Sequence, residues 1–182
     1  MTMIAGSAVA TTTNSTRYSY FKISGQSAHE VYSSLMSHAK GPGGHDAYAT
    51  TSTKISQNAQ YSIGKTCRIK NYQMNLAFNI NLPQLASGRK PPLSMRGNWK
   101  NFADVLKVHE EHHRSLWLGC ANAFSQLAQK LEASNCQVLK TNYTQLWVTM
   151  QNSCKRQNDA FDQAERIRFM KIPFIQQVLS TR

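Results

Sequence analysis

Three observations predict an α+β fold, in which a small antiparallel sheet with one N-terminal helix precedes a long antiparallel helical hairpin. Residues 17–24, 47–56 and 66–82 alternate hydroxyl-bearing, β-branched and apolar side chains in runs closed by Gly or Pro, which is strand chemistry. Between the first two of these runs, residues 27–40 switch to apolar spacing of three and four. Beyond Asn98 only the helical period remains. Strands followed by helices, rather than alternating with them, define the α+β class.

Residues 1–16 are small and hydroxyl-rich and are expected to be a disordered N-terminal segment, leaving 17–182 as a single domain long enough to bury its own core. In 17–24, Tyr18, Tyr20 and Ile23 are the packing candidates and Gly25 ends the strand. Ser27 caps the helix that places Val31, Leu35 and Met36 on one face, and Gly41-Pro42-Gly43-Gly44 stops it. The next two strands meet at Ser62-Ile63-Gly64-Lys65, and Pro83 closes the second. Although Gly64-Lys65-Thr66 resembles the end of a phosphate-binding loop, Ala59 stands where that motif needs its first Gly. Residues 88–92 form an exposed loop.

The first long helix carries Phe102, Leu106, His109, His113, Leu116, Cys120, Phe124, Leu127 and Leu131 as one stripe. The second, over 141–170, carries Leu146, Trp147, Met150, Cys154, Phe161 and Phe169, with Glu165 on the same stripe. Antiparallel packing around a turn near Gln137 sets Cys120 against Cys154, His113 against Phe161 and His109 against Glu165. The first pairing is an available disulfide, which leaves Cys67 for Cys136. Four cysteines arranged in this way suit an oxidising compartment.

The formal charge is +12, from 21 Lys and Arg against nine Asp and Glu, and the basic residues are scattered. Scatter argues against a dedicated nucleic-acid stripe and favours anionic surfaces or protein or peptide substrates that are acidic or cell-wall-associated. No run is long enough to span a membrane. The start, with a short apolar core and Ala8-Val9-Ala10, has the look of an export remnant without its basic region.

His109-Glu110-Glu111-His112-His113 contains His-Glu-x-x-His. On a helix, residues four apart share a face, so both imidazoles reach one zinc ion while Glu110 points at a water on it. That is the zincin arrangement, in which the Glu takes the proton as water attacks a carbonyl. Glu111 and His112 fall off the stripe and are expected in solvent or behind the ligands. Glu165 is the expected third ligand, and Asp162, one turn earlier, is the rival or a partner that holds a His tautomer.

The order of Tyr18 to Gly25, Gly41-Pro42 before Ala49-Thr50-Thr51, Cys67 in a strand ending at Leu82-Pro83, Trp99 and Phe102 before the His motif, Cys136, and Phe161-Asp162 resembles a bacterial family of secreted zinc-dependent proteases, a domain of unknown function. The resemblance covers 17–168 and implies a zincin-like metallopeptidase outside the cytoplasm, secreted or periplasmic, with His109 and His113 as ligands and Glu110 as base. The family commonly ends in Tyr-Asp-x-x-Thr-x-His-Gly, whereas this chain has Ile167 at the His position. Glu165 is expected to take over its role. The two alternative functions are a non-catalytic zincin-fold binding or envelope module and a basic protein that binds nucleic acid or another anionic polymer.

Overall fold

The computed structural model describes residues 10–38, 47–87 and 92–180. The expected stop at Gly41-Pro42-Gly43-Gly44, most of the 88–92 loop and most of the export-like start lie outside them. The element order is β1 (Thr11–Ile23), α1 (Ala28–His38), β2 (Thr50–Ile63), β3 (Cys67–Leu85), α2 (Leu93–Gln129), β4 (Glu132–Ala133), α3 (Cys136–Phe169) and α4 (Pro173–Ser180). The fold is α+β as expected, with four helices and one small sheet among the described residues.

The sheet has the order β1-β3-β2, with β4 added on β3. Its pattern corrects the expectation of an antiparallel sheet. Side-chain hydrogen bonds join Thr13 to Asn75, Ser19 to Asn81 and Lys22 to Gln84, each pair 62 residues apart. A constant difference means that β1 and β3 run parallel, and the intervening α1 and β2 supply the crossover that such a pair requires. Between β2 and β3 the residue numbers rise on one strand as they fall on the other, as in Gln60 with Asn71 and Ser52 with Asn79. The sheet is therefore mixed.

Several boundaries moved for physical reasons. Strand β1 begins at Thr11, inside the segment expected to be disordered, because threonine favours strands and Thr12 Oγ1 donates to Ser125 at 2.9 Å. Pro83 does not end β3, which continues to Leu85. The helical half breaks at β4, so Leu131 is not helical and Cys136 opens α3 instead of sitting in the turn. The capping expectation fits: Ser27 Oγ accepts from the amide of Glu30 at 3.2 Å, while Glu30 accepts from that of Gln26 at 2.8 Å. Gly25 is required here because a Cβ would lie 2.5 Å from the amide nitrogen of Val31.

The chain forms two compact units, both fed by the long strands and helices. In the unit made of the described parts of Met1–Ser15, Thr53–Ala77 and Ser115–Gln157, Tyr72, Met74, Leu76, Phe124 and Leu139 are buried. Both favoured disulfides form in it, Cys67–Cys136 and Cys120–Cys154, with Cα separations of 5.1 and 6.1 Å. In the unit made of Thr16–Ser52, Phe78–Arg114 and Asn158–Arg182, a core forms from Val31 and Leu35 of α1, Trp99, Phe102 and Leu106 of α2, and Phe174 of α4. This core seats the helix that carries the His motif. The buried face of α2 lies to one side of the apolar stripe, centred on Leu106, Glu110, Ala121, Phe124 and Ala128, which leaves Leu127 exposed.

Candidate metal centre

The centre is built from α2, α3 and β2 within the second unit. Because His109 and His113 are one turn apart on α2, their rings come together with Nε2 atoms 3.1 Å apart. Asp162 of α3 brings Oδ1 to 3.1 Å from His109 Nε2 and 2.9 Å from His113 Nε2. These three ligand atoms form the cluster suited to a metal ion among the described residues. Bonds of about 2.0–2.1 Å in a tetrahedral zinc site place neighbouring ligands about 3.3 Å apart, within a few tenths of an ångström of what these atoms adopt.

The surroundings hold the rings in place. Phe161 stacks on His109 at 4.7 Å and on the exposed His112 at 4.0 Å, and meets His113 edge-on at 5.2 Å. Phe169 closes the other side of His109 at 5.2 Å. Asn158, one turn before Asp162, sets Oδ1 at 2.6 Å from His113 Nδ1. A proton on Nδ1 donated to Asn158 leaves the Nε2 lone pair of neutral His113 facing the other two ligand atoms. Two imidazole nitrogens and a carboxylate oxygen converging in this way form a donor set that fits a metal ion. His109 Nδ1 is buried and has no hydrogen-bond partner among the described residues, so on that side the ring is held by packing, while Nε2 meets Asp162.

The electrostatics agree with the geometry. Burial pushes the Asp162 carboxyl up, but hydrogen bonds from His109 and His113 outweigh it and hold the group well below the usual carboxylate range. Burial pushes His113 down, yet Asp162 and Asn158 prevail and raise it. Glu110 is only 4 % exposed, and burial raises its carboxyl above the ordinary value despite the opposing hydrogen bond from Thr51. Thr51 Oγ1 lies 2.8 Å from Glu110 Oε2 and 3.1 Å from the Glu110 carbonyl.

Of the residues singled out from the sequence, His109, His113 and Asp162 come together with Glu110 beside them. Glu165 lies outside the cluster, its carboxylate oxygens 3.3 and 3.4 Å from Arg168 Nη1. Glu111 accepts from the Tyr18 hydroxyl and pairs with Arg114 at 3.4 Å. Sequence reasoning missed Asn158 and the contact of Thr51 with Glu110. Asn158 was within reach, because it lies one turn from Asp162 on the same face of α3. Nothing in the sequence joins Thr51 to Glu110, 59 residues away.

With zinc in the centre, replacing Asn158 with Ala is expected to weaken its binding about 10- to 100-fold without unfolding the chain, the usual effect of losing a group that orients a metal-binding His. Competition with a chromophoric chelator measures it.

Fold and site define the class as an α+β protein with a His-His-Asp centre suited to a metal ion. The chain belongs to the family described as "Bacterial protein of unknown function (DUF922)", whose pattern matches residues 18–169. No curated protein and no solved structure matches it significantly.

Proposed function

We propose that this chain is a zinc-dependent peptidase working outside the cytoplasm, with α2 and α3 as the arms of a zincin-like antiparallel hairpin. Its metal ligands are His109, His113 and Asp162, and Glu110 is its general base. The observation that carries the reading is the convergence of two His Nε2 atoms and one carboxylate oxygen beside a buried Glu. A zinc ion held there would polarise a peptide carbonyl and bring a water towards deprotonation near neutral pH.

The chain's own groups do the rest. Glu110 accepts a proton on its carboxylate, and its raised affinity for protons suits transfer near neutral pH. Thr51 fixes the orientation of that carboxylate. Phe161 and Phe169 exclude water from the faces of the rings they cover. The Asp162 side chain is 53 % exposed, against 12 % for His109 and 14 % for His113, so the ligand set opens on the Asp162 side. Two disulfides support a location outside the cytoplasm, and no described helix is long and apolar enough to cross a membrane. The basic balance favours acidic or cell-wall-associated peptide substrates.

The test is hydrolysis of a mixed peptide library before and after chelation. Cleavage lost with chelator and restored by zinc is the expected result, whereas cleavage that ignores the chelator, or no cleavage by zinc-loaded protein, overturns the reading.

A further inference from the structure

The acidic residues are unevenly shared between the two units, both of which are net positive. Residues 53–77 and 115–157 carry eight Lys and Arg against Glu132 alone, whereas most acidic residues lie in the unit that holds the candidate metal centre. Within the basic unit, one end is the most distinctive. The β2–β3 turn closes with the Gly64 amide on the Thr66 carbonyl at 3.0 Å, and Gly64 faces open space. Beside it stand Ile63, 79 % exposed, and Tyr61, 53 % exposed. Two large apolar side chains two residues apart are thus in water at one turn.

The α2–α3 connection packs against the same end. In the β3–β4 pairing, Arg68 lies opposite Glu132. The Ile69 amide donates to the Leu131 carbonyl at 3.3 Å, and Gln129 Nε2 donates to the Lys70 carbonyl at 2.8 Å. Lys65 lies in the turn and Arg68 four residues beyond Gly64, while Lys70 lies further along β3 and Lys130 in the α2–α3 connection beside it, all exposed. Glu132, the one acid among them, accepts from Thr66. The Cys67–Cys136 disulfide fixes the start of β3 to the start of α3, so this end is stiff.

We propose that this end of the basic unit docks on an anionic lipid surface. Ile63 enters the headgroup region, the Tyr61 ring sits at its boundary, and the four cations meet lipid phosphates. An exposed apolar tip with Lys65 and Arg68 beside it and Lys70 and Lys130 further along the same unit combines the two contributions to such binding: electrostatic attraction brings the surface close and a buried apolar group holds it. A nucleic acid offers the same negative charge, but its backbone gives an exposed Ile nothing to bury against. The inference is independent of the metal centre.

The experiment is co-sedimentation of the full chain with phosphatidylglycerol-containing vesicles, pure phosphatidylcholine vesicles and duplex DNA. Wild type is compared with Ile63→Ser, Lys65→Ala and Lys130→Ala, and near-ultraviolet circular dichroism checks that each variant is folded. Binding to the anionic vesicles is expected at low ionic strength and to be lost at about 0.5 M salt. Each Lys removed should weaken it about fivefold, and Ile63→Ser about tenfold. No binding to anionic vesicles, equal binding to neutral ones, or an Ile63→Ser protein that binds as wild type overturns the proposal. So does binding to DNA in preference to vesicles.

Discussion

On the proposed reading, a Glu110→Gln protein is expected to bind zinc as wild type does and to lose peptide hydrolysis by about 10²- to 10⁴-fold, the usual contribution of a positioned proton acceptor. Glu110 contributes no atom to the His-His-Asp cluster, so metal content should not change. Gln keeps an oxygen for the Thr51 hydroxyl and fills the same space, but cannot accept the proton. A stability signature accompanies the loss. Burial raises the Glu110 carboxyl in the folded chain, so the folded form binds the proton more tightly than the unfolded one. Folding therefore loses stability as pH rises from the ordinary Glu value through the raised one. Without metal, the Gln variant should melt above wild type at neutral pH, and the gap should close on acidification below the ordinary Glu value. Thermal scans across that range check it. Hydrolysis that persists in the variant would remove Glu110 from the base role whatever the melting curves show.

The second large effect concerns the ligands. His113→Ala and Asp162→Ala are each expected to weaken zinc affinity on the order of 10³-fold, since one ligand carries a substantial share of a binding free energy of about 10–16 kcal/mol. Glu165→Ala should keep wild-type affinity, because that carboxylate is turned to Arg168. Elemental mass spectrometry after dialysis against a weak chelator separates the outcomes. Zinc retained in Asp162→Ala and lost in Glu165→Ala would reverse the assignment. Protons compete for the same atoms. Because Asp162 and Asn158 raise His113, zinc should be displaced on acidification at a higher pH than an ordinary His would require.

The contrast between Asp162 and Glu165 shows what a sequence carries and where it stops. Helical spacing brought His109 and His113 onto one face, and the proposed hairpin register put Cys120 against Cys154, where the disulfide forms. The same register set Glu165 opposite one His. A group that bridges two imidazoles belongs opposite the point midway between them, and the carboxylate nearest that position is Asp162. The α2 core and the Ser27 cap were legible because they depend on local periodicity and local hydrogen bonds. Thr51 on Glu110 and the parallel pairing of β1 depend on which distant strands become neighbours, and no local pattern encodes that. Leu127 is exposed because the face of the helix that α2 buries, through Phe124 and Ala128, is set by its neighbours and lies to one side of the stripe that periodicity draws.

The parallel pairing of β1 with β3 also separates the strands by loop length. Each residue of β1 pairs with one 62 positions further along, whereas β2 and β3 meet across a short turn and form a local ribbon. Closing the longer loop costs more chain entropy, so β1 is expected to join a ribbon already formed. Its first half is rich in Thr and Ser while Tyr18, Tyr20, Phe21 and Ile23 gather in its second half, so the apolar contacts that hold it lie towards Ile23.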